Sequence, residues 1–447
     1  MARAPVDPTP PRVTGPVPFV RAGLDFIRAP TQFLSAARET HGDTFLLEAF
    51  GFDLLMTFAP VGLRSLYRAP EAEASFTEAT RTLIGFKVPD ELLEGDMSMF
   101  RKLFARDQLP RYLDAVRDAV REDVAELGAS GEFEIFERAK LLVHRVGFRC
   151  WIGREAATPR YLPRLRAAFD QIDPEAAFVR PHTILWTVLT RKSLERRALA
   201  EVEAVLREIW TARQRAGVVE DDMLEALHAQ HAARPEAERL RAVAGDVMIL
   251  HMASQTNLYA AMAWTLVNLL LRPELLAQAQ REAARFEELE RFGPADLAGL
   301  ETLVACAHES IRTAQRSITL RRILAPCELD VGGRVYTLQP GVMLATMLSV
   351  TNSEYGDLDR FDPAHYRGGR LDPEIELPTR EVVSTFGHGS HACPGQRFAI
   401  AAIEIALAAY LDRLELTPQF DHAAPPAEQM GAVARAAGPC VVRYRAT

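Results

Sequence analysis

Apolar residues recur three and four apart over most of the chain from Pro60 to Ala216, the period of amphipathic helices. Pro110, Pro159, Pro163 and Pro181 punctuate that stretch. The same period predicts a long helix over about 238–271, which stops at Arg272-Pro273-Glu274 where proline opens the next helix. Further helices are predicted over about 299–315 and from Pro394 to about Leu414. Strand patterns are few. Thr44–Phe50 and Leu54–Phe58 flank Gly51 as a hairpin, and Glu328–Thr337 holds two strands around Gly332-Gly333. Pro340-Gly341 turns the chain again, and Cys440–Tyr444 reads as a closing strand. Residues Phe76–Met97 show no clear period and contain Gly85, Pro89 and Gly95, so they read as a loop. There is no internal repeat and no Gly- or Ser-rich linker. The pattern predicts a mainly α fold with a minor β region.

The long helix has an unusual middle. Val247–Leu271 is apolar enough to suggest a membrane span, yet His251-Met252-Ala253-Ser254-Gln255-Thr256-Asn257 interrupts it. Lipid would not accept that polar cluster cheaply. A helix through the centre of a large protein would accept it, if the cluster faced a cavity.

Composition narrows the class. The 447 residues are 48% hydrophobic and 25% charged, as in globular proteins. A net charge of −8 argues against a general nucleic-acid binder. The five cysteines are Cys150, Cys306, Cys327, Cys393 and Cys440. An odd count with no close pair argues against a disulfide framework or a CxxC site, and suits a reducing, cytoplasmic setting. The first 29 residues form a proline-rich leading segment without the apolar core of a secretory signal or an anchor.

The most informative stretch is Phe386-Gly387-His388-Gly389-Ser390-His391-Ala392-Cys393-Pro394-Gly395. Pro394 sits where a helix begins, and helix N-terminal amides favour an anion. Cys393 there is expected to have a depressed pKa and to act as a soft metal ligand. Gly389 and Gly395 would let backbone approach a bulky planar group. His391 could reach an acidic group on its edge.

The spacing Phe-x-x-Gly-x-His-x-Cys-x-Gly resembles the haem-thiolate loop of the cytochrome P-450 superfamily. Two further motifs agree with that resemblance: Glu309-Ser310-Ile311-Arg312, with both charged residues on one helical face, and Arg360-Phe361-Asp362-Pro363. The resemblance covers essentially the whole chain and implies one helix-rich domain enclosing a haem b, with no fused reductase. Cys393 would be the axial ligand, with Phe386, Gly389 and Gly395 shaping its loop. Glu309 and Arg312 would form a buried pair completed by Arg360. His391, Arg101 and either Arg321 or Arg322 would meet the haem propionates by charge-assisted contacts. Met97 stands where the family usually has an aromatic propionate partner.

The resemblance also exposes a departure. Most members carry an acid–alcohol pair on the central helix that supports proton delivery to dioxygen. Here Thr256 stands in the acid's place and Asn257 in the threonine's. Asparagine hydrogen-bonds but cannot titrate. The run Ala253-Ser254-Gln255-Thr256-Asn257 resembles the branch containing cholesterol 7-alpha-hydroxylase and prostacyclin synthase. Two activities therefore stay open. One is a monooxygenase that uses dioxygen and electrons from a separate ferredoxin and its NAD(P)H-dependent reductase. The other is an isomerase, dehydratase or peroxygenase that acts on a hydroperoxide or endoperoxide. Arg101, Lys102, Arg106, Arg111 and Arg397 offer a basic dock for the ferredoxin. The substrate wall is expected from Thr82–Met99, Ile249–Asn257, Ser317–Thr319 and Met430-Gly431, which suits a lipophilic small molecule.

Overall fold

Pro235, extended at φ −52° and ψ 142°, starts a 35-residue helix over Glu236–Leu270, hereafter the central helix. Glu236 and Glu238 sit in its first turn, where the helix dipole favours acids. It ends because Arg272 is extended ahead of Pro273, which opens the helix Pro273–Ala283. Val243, Val247, Tyr259, Ala263 and Val267 are buried on its different sides, so this is a core helix rather than a surface one. The helices Ile135–Trp151, Ser193–Ala216 and Glu301–Ala314 pack around it. The computed structural model describes residues 9–92, 103–105, 107–172, 187, 189–284 and 297–447.

The larger β region is a six-stranded sheet. Its order is Arg12–Val13, Thr44–Ala49, Phe52–Thr57, Met343–Met347, Ile318–Ile323 and Ala74–Ser75. Leu54 pairs with Met343 in a parallel register, and Ile318 pairs with Met347 in an antiparallel one. Residues from opposite ends of the sequence therefore form one wall. Leu414–Pro418, Val441–Ala446 and Ser130–Glu134 make a smaller antiparallel sheet that ties the C-terminus to the helical body. The main core joins the helices Leu109–Leu127, Ile135–Trp151 and Gln396–Arg413 to the central helix. Among the described residues, no helix is long and apolar enough to cross a membrane.

The mainly α expectation holds, and the helix and strand limits fall within a few residues of those read from the pattern. Phe76–Met97 differs. Its first part is a helix, Phe76–Ile84, whose N-cap Ser75 accepts a hydrogen bond from the Glu78 amide at 2.9 Å. The signal was the capping sequence Ser75-Phe-Thr-Glu78, which outweighs a weak apolar period.

Candidate active site around Cys393

The helix Glu301–Ala314 carries the first anchor. Glu309 and Arg312, three apart, share a face and are both buried. Arg312 Nε donates to Glu309 Oε2 at 2.7 Å and Nη2 donates to Oε1 at 2.5 Å. Arg312 Nη1 donates to the carbonyls of Asn352 and Leu358, both at 2.6 Å, and Nη2 to that of Arg360 at 2.8 Å. All five guanidinium N–H groups are thus used, as a buried cation requires. Glu309 Oε1 also accepts from the Asp362 amide and lies 2.9 Å from His365 Nδ1.

Arg360 does not complete this network. Its side chain is 63% exposed and pairs with Asp357 at 2.7 Å, and only its carbonyl reaches Arg312. Asp362 opens a one-turn 3₁₀ helix, Pro363–His365, which swings His365 inward onto Glu309. The signal lay two residues past Pro363, in the run Phe361-x-Pro363-x-His365. Asn352 was also missed. Its Nδ2 donates to the carbonyls of Arg312 and Ser384, both at 3.1 Å, and its Oδ1 accepts from the Ser384 amide at 2.8 Å. Asn352 therefore couples the buried ion pair to the start of the cysteine loop. No spacing in the sequence marks it.

Phe386–Gly395 folds back so that the Cys393 amide donates to the Phe386 carbonyl at 2.7 Å. Gly387 is required here: its φ is +74°, and a Cβ would lie 2.9 Å from the His391 carbonyl oxygen. Gly389 also takes a positive φ, +62°. A Cβ on Gly395 would sit 3.8 Å from Cys393 Sγ, over the thiol. The sulfur opens on a chamber of about 450 Å³, which Phe386, His391, Gly395, Ser254, Asn257 and Arg321 also line. Neighbouring protein atoms desolvate the sulfur although Cys393 is exposed, and this raises the thiol pKa above its usual value. The Gly395 and Gln396 amides act in the opposite direction and do not prevail. The expected depressed pKa is therefore not a property of this loop alone. A bound cation deprotonates a coordinating thiol outright.

Arg321 and Arg322, adjacent on a strand, point to opposite faces. Arg321 is buried and lines the chamber, whereas Arg322 donates to Thr82 Oγ1 at 2.8 Å. Arg321 is clasped by the carbonyls of Tyr67, Ala69 and Ala74 at 2.9–3.1 Å. Its Nη1 and His391 Nε2 lie 3.6 and 3.1 Å from the same oxygen, Glu71 Oε2. Glu71 is desolvated, yet hydrogen bonds from Ser75 and from Thr77 hold its pKa down at about 2. An arginine and a histidine at the chamber edge thus already converge on a carboxylate, as propionate partners must. The donors, the open sulfur and the glycine cradle fit a haem. Arg101, Lys102 and Arg106 lie outside the described residues.

On the central helix the polar cluster divides. Ser254 and Asn257 face the chamber. Asn257 Oδ1 accepts from the Val433 amide at 3.0 Å, tying the helix to the segment 430–434. With the oxygen so engaged, the Nδ2 group of this lining residue remains a donor. Thr256 is not a lining residue, and its hydroxyl accepts from Gln255 Nε2 at 3.1 Å. His251 is fully buried against His144, with 2.9 Å between Nε2 and Nδ1.

A sequence model of the cytochrome P450 family matches residues 115–442. The chain belongs to the cytochrome P450 family. It is a haem-thiolate monooxygenase that works with dioxygen and redox partners. It is 26% identical to the cytochrome P450 135B1 of Mycobacterium tuberculosis over 436 residues, covering 92% of this chain and 85% of the relative. It is 24% identical to the lanosterol 14-alpha demethylase of Bos taurus over 415 residues, 89% and 80% of the two chains. It is 22% identical to the sterol 14-demethylase of Arabidopsis thaliana over 456 residues, 98% and 91%. These relatives lend no support to the finer placement beside cholesterol 7-alpha-hydroxylase and prostacyclin synthase.

Proposed function

We propose that this P450 inserts one oxygen atom of dioxygen into a lipophilic small molecule, using electrons from a separate ferredoxin and its NAD(P)H-dependent reductase in the cytoplasm. The observation that carries the reading is the shared chamber, in which Cys393 and the Asn257 face of the central helix line one space. Cys393 would hold the iron of haem b, with Phe386, Gly389 and Gly395 leaving room for the ring and Arg321, His391 and Arg101 meeting its propionates. Bound there, haem supplies dioxygen activation, favoured by electron donation from the thiolate.

The chain's own residues then position and hydrate. Asn257 presents a fixed amide donor to the chamber and carries no titratable proton. Protons would move through water held between Asn257 Nδ2 and the Ser254 hydroxyl, with Thr256 supporting the helix from behind. Ser317, Ile318 and Leu250 would exclude bulk water around the substrate.

The missing acid–alcohol pair supports a second reading, an isomerase, dehydratase or peroxygenase that takes a preformed peroxide and needs no electron donor. Turnover on paired lipids and their hydroperoxides, with and without a surrogate ferredoxin, reductase and NADPH, separates the two. Product from the unoxidised lipid that requires both electrons and dioxygen sustains the monooxygenase. Product only from the peroxide, without electrons, replaces it. Cys393→Ala should abolish the thiolate-type absorption spectrum, and an unchanged spectrum would remove the basis of both readings.

A further inference from the structure

A second cavity of about 430 Å³ adjoins the Cys393 chamber, and Ser317 and Ile318 line both. Phe19, Phe26, Phe50, Phe52 and Phe86 dominate its wall. Ser317 is the one polar side chain among its described lining residues, and its hydroxyl already donates to Gln315 Oε1 at 2.9 Å. The cavity therefore offers a ligand contact area with no uncommitted hydrogen-bond donor. Phe19 and Phe86, 68% and 40% exposed, stand at its outer side.

Two of these rings are held at conformational cost. Ala49 pairs with Phe52, so Phe50-Gly51 is a two-residue hairpin turn, and both turn residues have positive φ, +52° and +79°. Asparagine is the residue that such a first position favours, and a phenylalanine there is strained. Phe19 is also left-handed, at φ +66°. Each ring is fitted over a glycine. A Cβ on Gly23 would lie 2.6 Å from the Phe50 ring, and one on Gly51 would lie 2.8 Å from the Phe19 ring. Backbone bonds lock the pieces together, with the Gly51 amide donating to the Phe19 carbonyl at 3.0 Å. The turn itself has no need of a ring at position 50, and the ring is only partly buried. Strain of this kind persists only where the surrounding structure holds it, and it clusters at active sites and ligand clamps.

We propose that this cavity is a lobe of the substrate site, that it receives the neutral, apolar end of an elongated lipid-like substrate whose reacting end lies in the Cys393 chamber, and that Phe50 and Phe19 determine how long that end can be. The inference rests on the Cys393 chamber being the reaction site.

A series of 1-alkylimidazoles, from methyl to dodecyl, tests it on the haem-loaded protein. Binding is read both from the shift in haem absorption and by calorimetry. Affinity should rise about fourfold per methylene until the lobe is filled. Phe50→Asn should weaken dodecylimidazole at least tenfold, leave methylimidazole unchanged, and leave the melting temperature unchanged or higher as strain is relieved. Phe86→Ala, at an exposed position, should give the same length-dependent loss. The proposal is overturned if wild-type affinity does not depend on chain length, or if both variants keep the wild-type dependence. It is also overturned if Phe50→Asn lowers the melting temperature and weakens methylimidazole alike, which is a structural role. A chain-length dependence seen by calorimetry without any absorption shift would refute the haem assignment and leave the lobe standing.

Discussion

Glu404 sits on the helix that follows the cysteine, 4% exposed, and among the described residues it has no hydrogen-bond or ion-pair partner. Burial alone pushes its pKa up to about 8, from 4.5. In the folded protein it therefore keeps its proton at neutral pH, while in the unfolded chain it ionises. The penalty is absent below pH 4.5 and grows as pH rises toward 8. Linkage between those two pKa values gives about 1 kcal/mol at pH 5, about 3 kcal/mol at pH 7 and about 5 kcal/mol at pH 9. That is a large part of the roughly 5–15 kcal/mol by which folded proteins are stable. Glu404→Gln keeps the shape and removes the titration. Its unfolding free energy in urea, relative to the wild type, should climb by about 4 kcal/mol between pH 5 and pH 9. Parallel pH dependences for the two proteins would show that the carboxyl is solvated or paired, and the reasoning would fail.

Other perturbations test the site. Arg360→Ala should change stability by less than about 0.5 kcal/mol, because its guanidinium is exposed, whereas His365→Ala should cost about 1–3 kcal/mol by leaving the Glu309 carboxylate short of a partner. Urea denaturation and haem content would read both, and the reverse order would restore Arg360 to the network. Asn257→Asp keeps an acceptor for the Val433 amide but loses the donor facing the chamber. It should hold haem like the wild type and consume NADPH with less product, whereas Asn257→Ala should also melt lower. Equal coupling in Asn257→Asp and wild type would show that the donor has no part in the reaction. His251 is buried neutral, with a pKa held well below 6.5 by burial and by the neighbouring His144. Its contribution is intact above pH 6.5 and is lost as pH falls below it, because the unfolded chain then takes up a proton that the folded one refuses. His251→Gln should flatten the acid side of the stability profile, measured by urea unfolding between pH 7 and pH 5.

Some of the site was legible because its chemistry is local. The loop Phe386–Gly395 needs glycines at particular backbone angles within a few residues of the sulfur. The Glu309–Arg312 pair needs only a helical spacing of three. The central helix declared itself by its length and its polar interruption. Other parts were not legible. Arg360 and His365 lie five residues apart, and which of them meets Glu309 depends on the 3₁₀ turn at Pro363–His365. Phe76–Ile84 was hidden behind a weak period, although Ser75 and Glu78 mark its start.

By itself the sequence determined the class of fold, the cysteine that carries the chemistry, the buried ion pair behind it, and the absence of a carboxylate from the pair on the central helix. These follow from residue type and short-range spacing. Only the tertiary structure decided that Arg321 rather than Arg322 faces the chamber, and that Asn257 is tied to Val433. It alone placed Asn352 between the ion pair and the cysteine loop, and Phe19 and Phe50 beside Met430. Those juxtapositions join residues tens to hundreds of positions apart. They depend on strand register and helix packing, which no local pattern specifies.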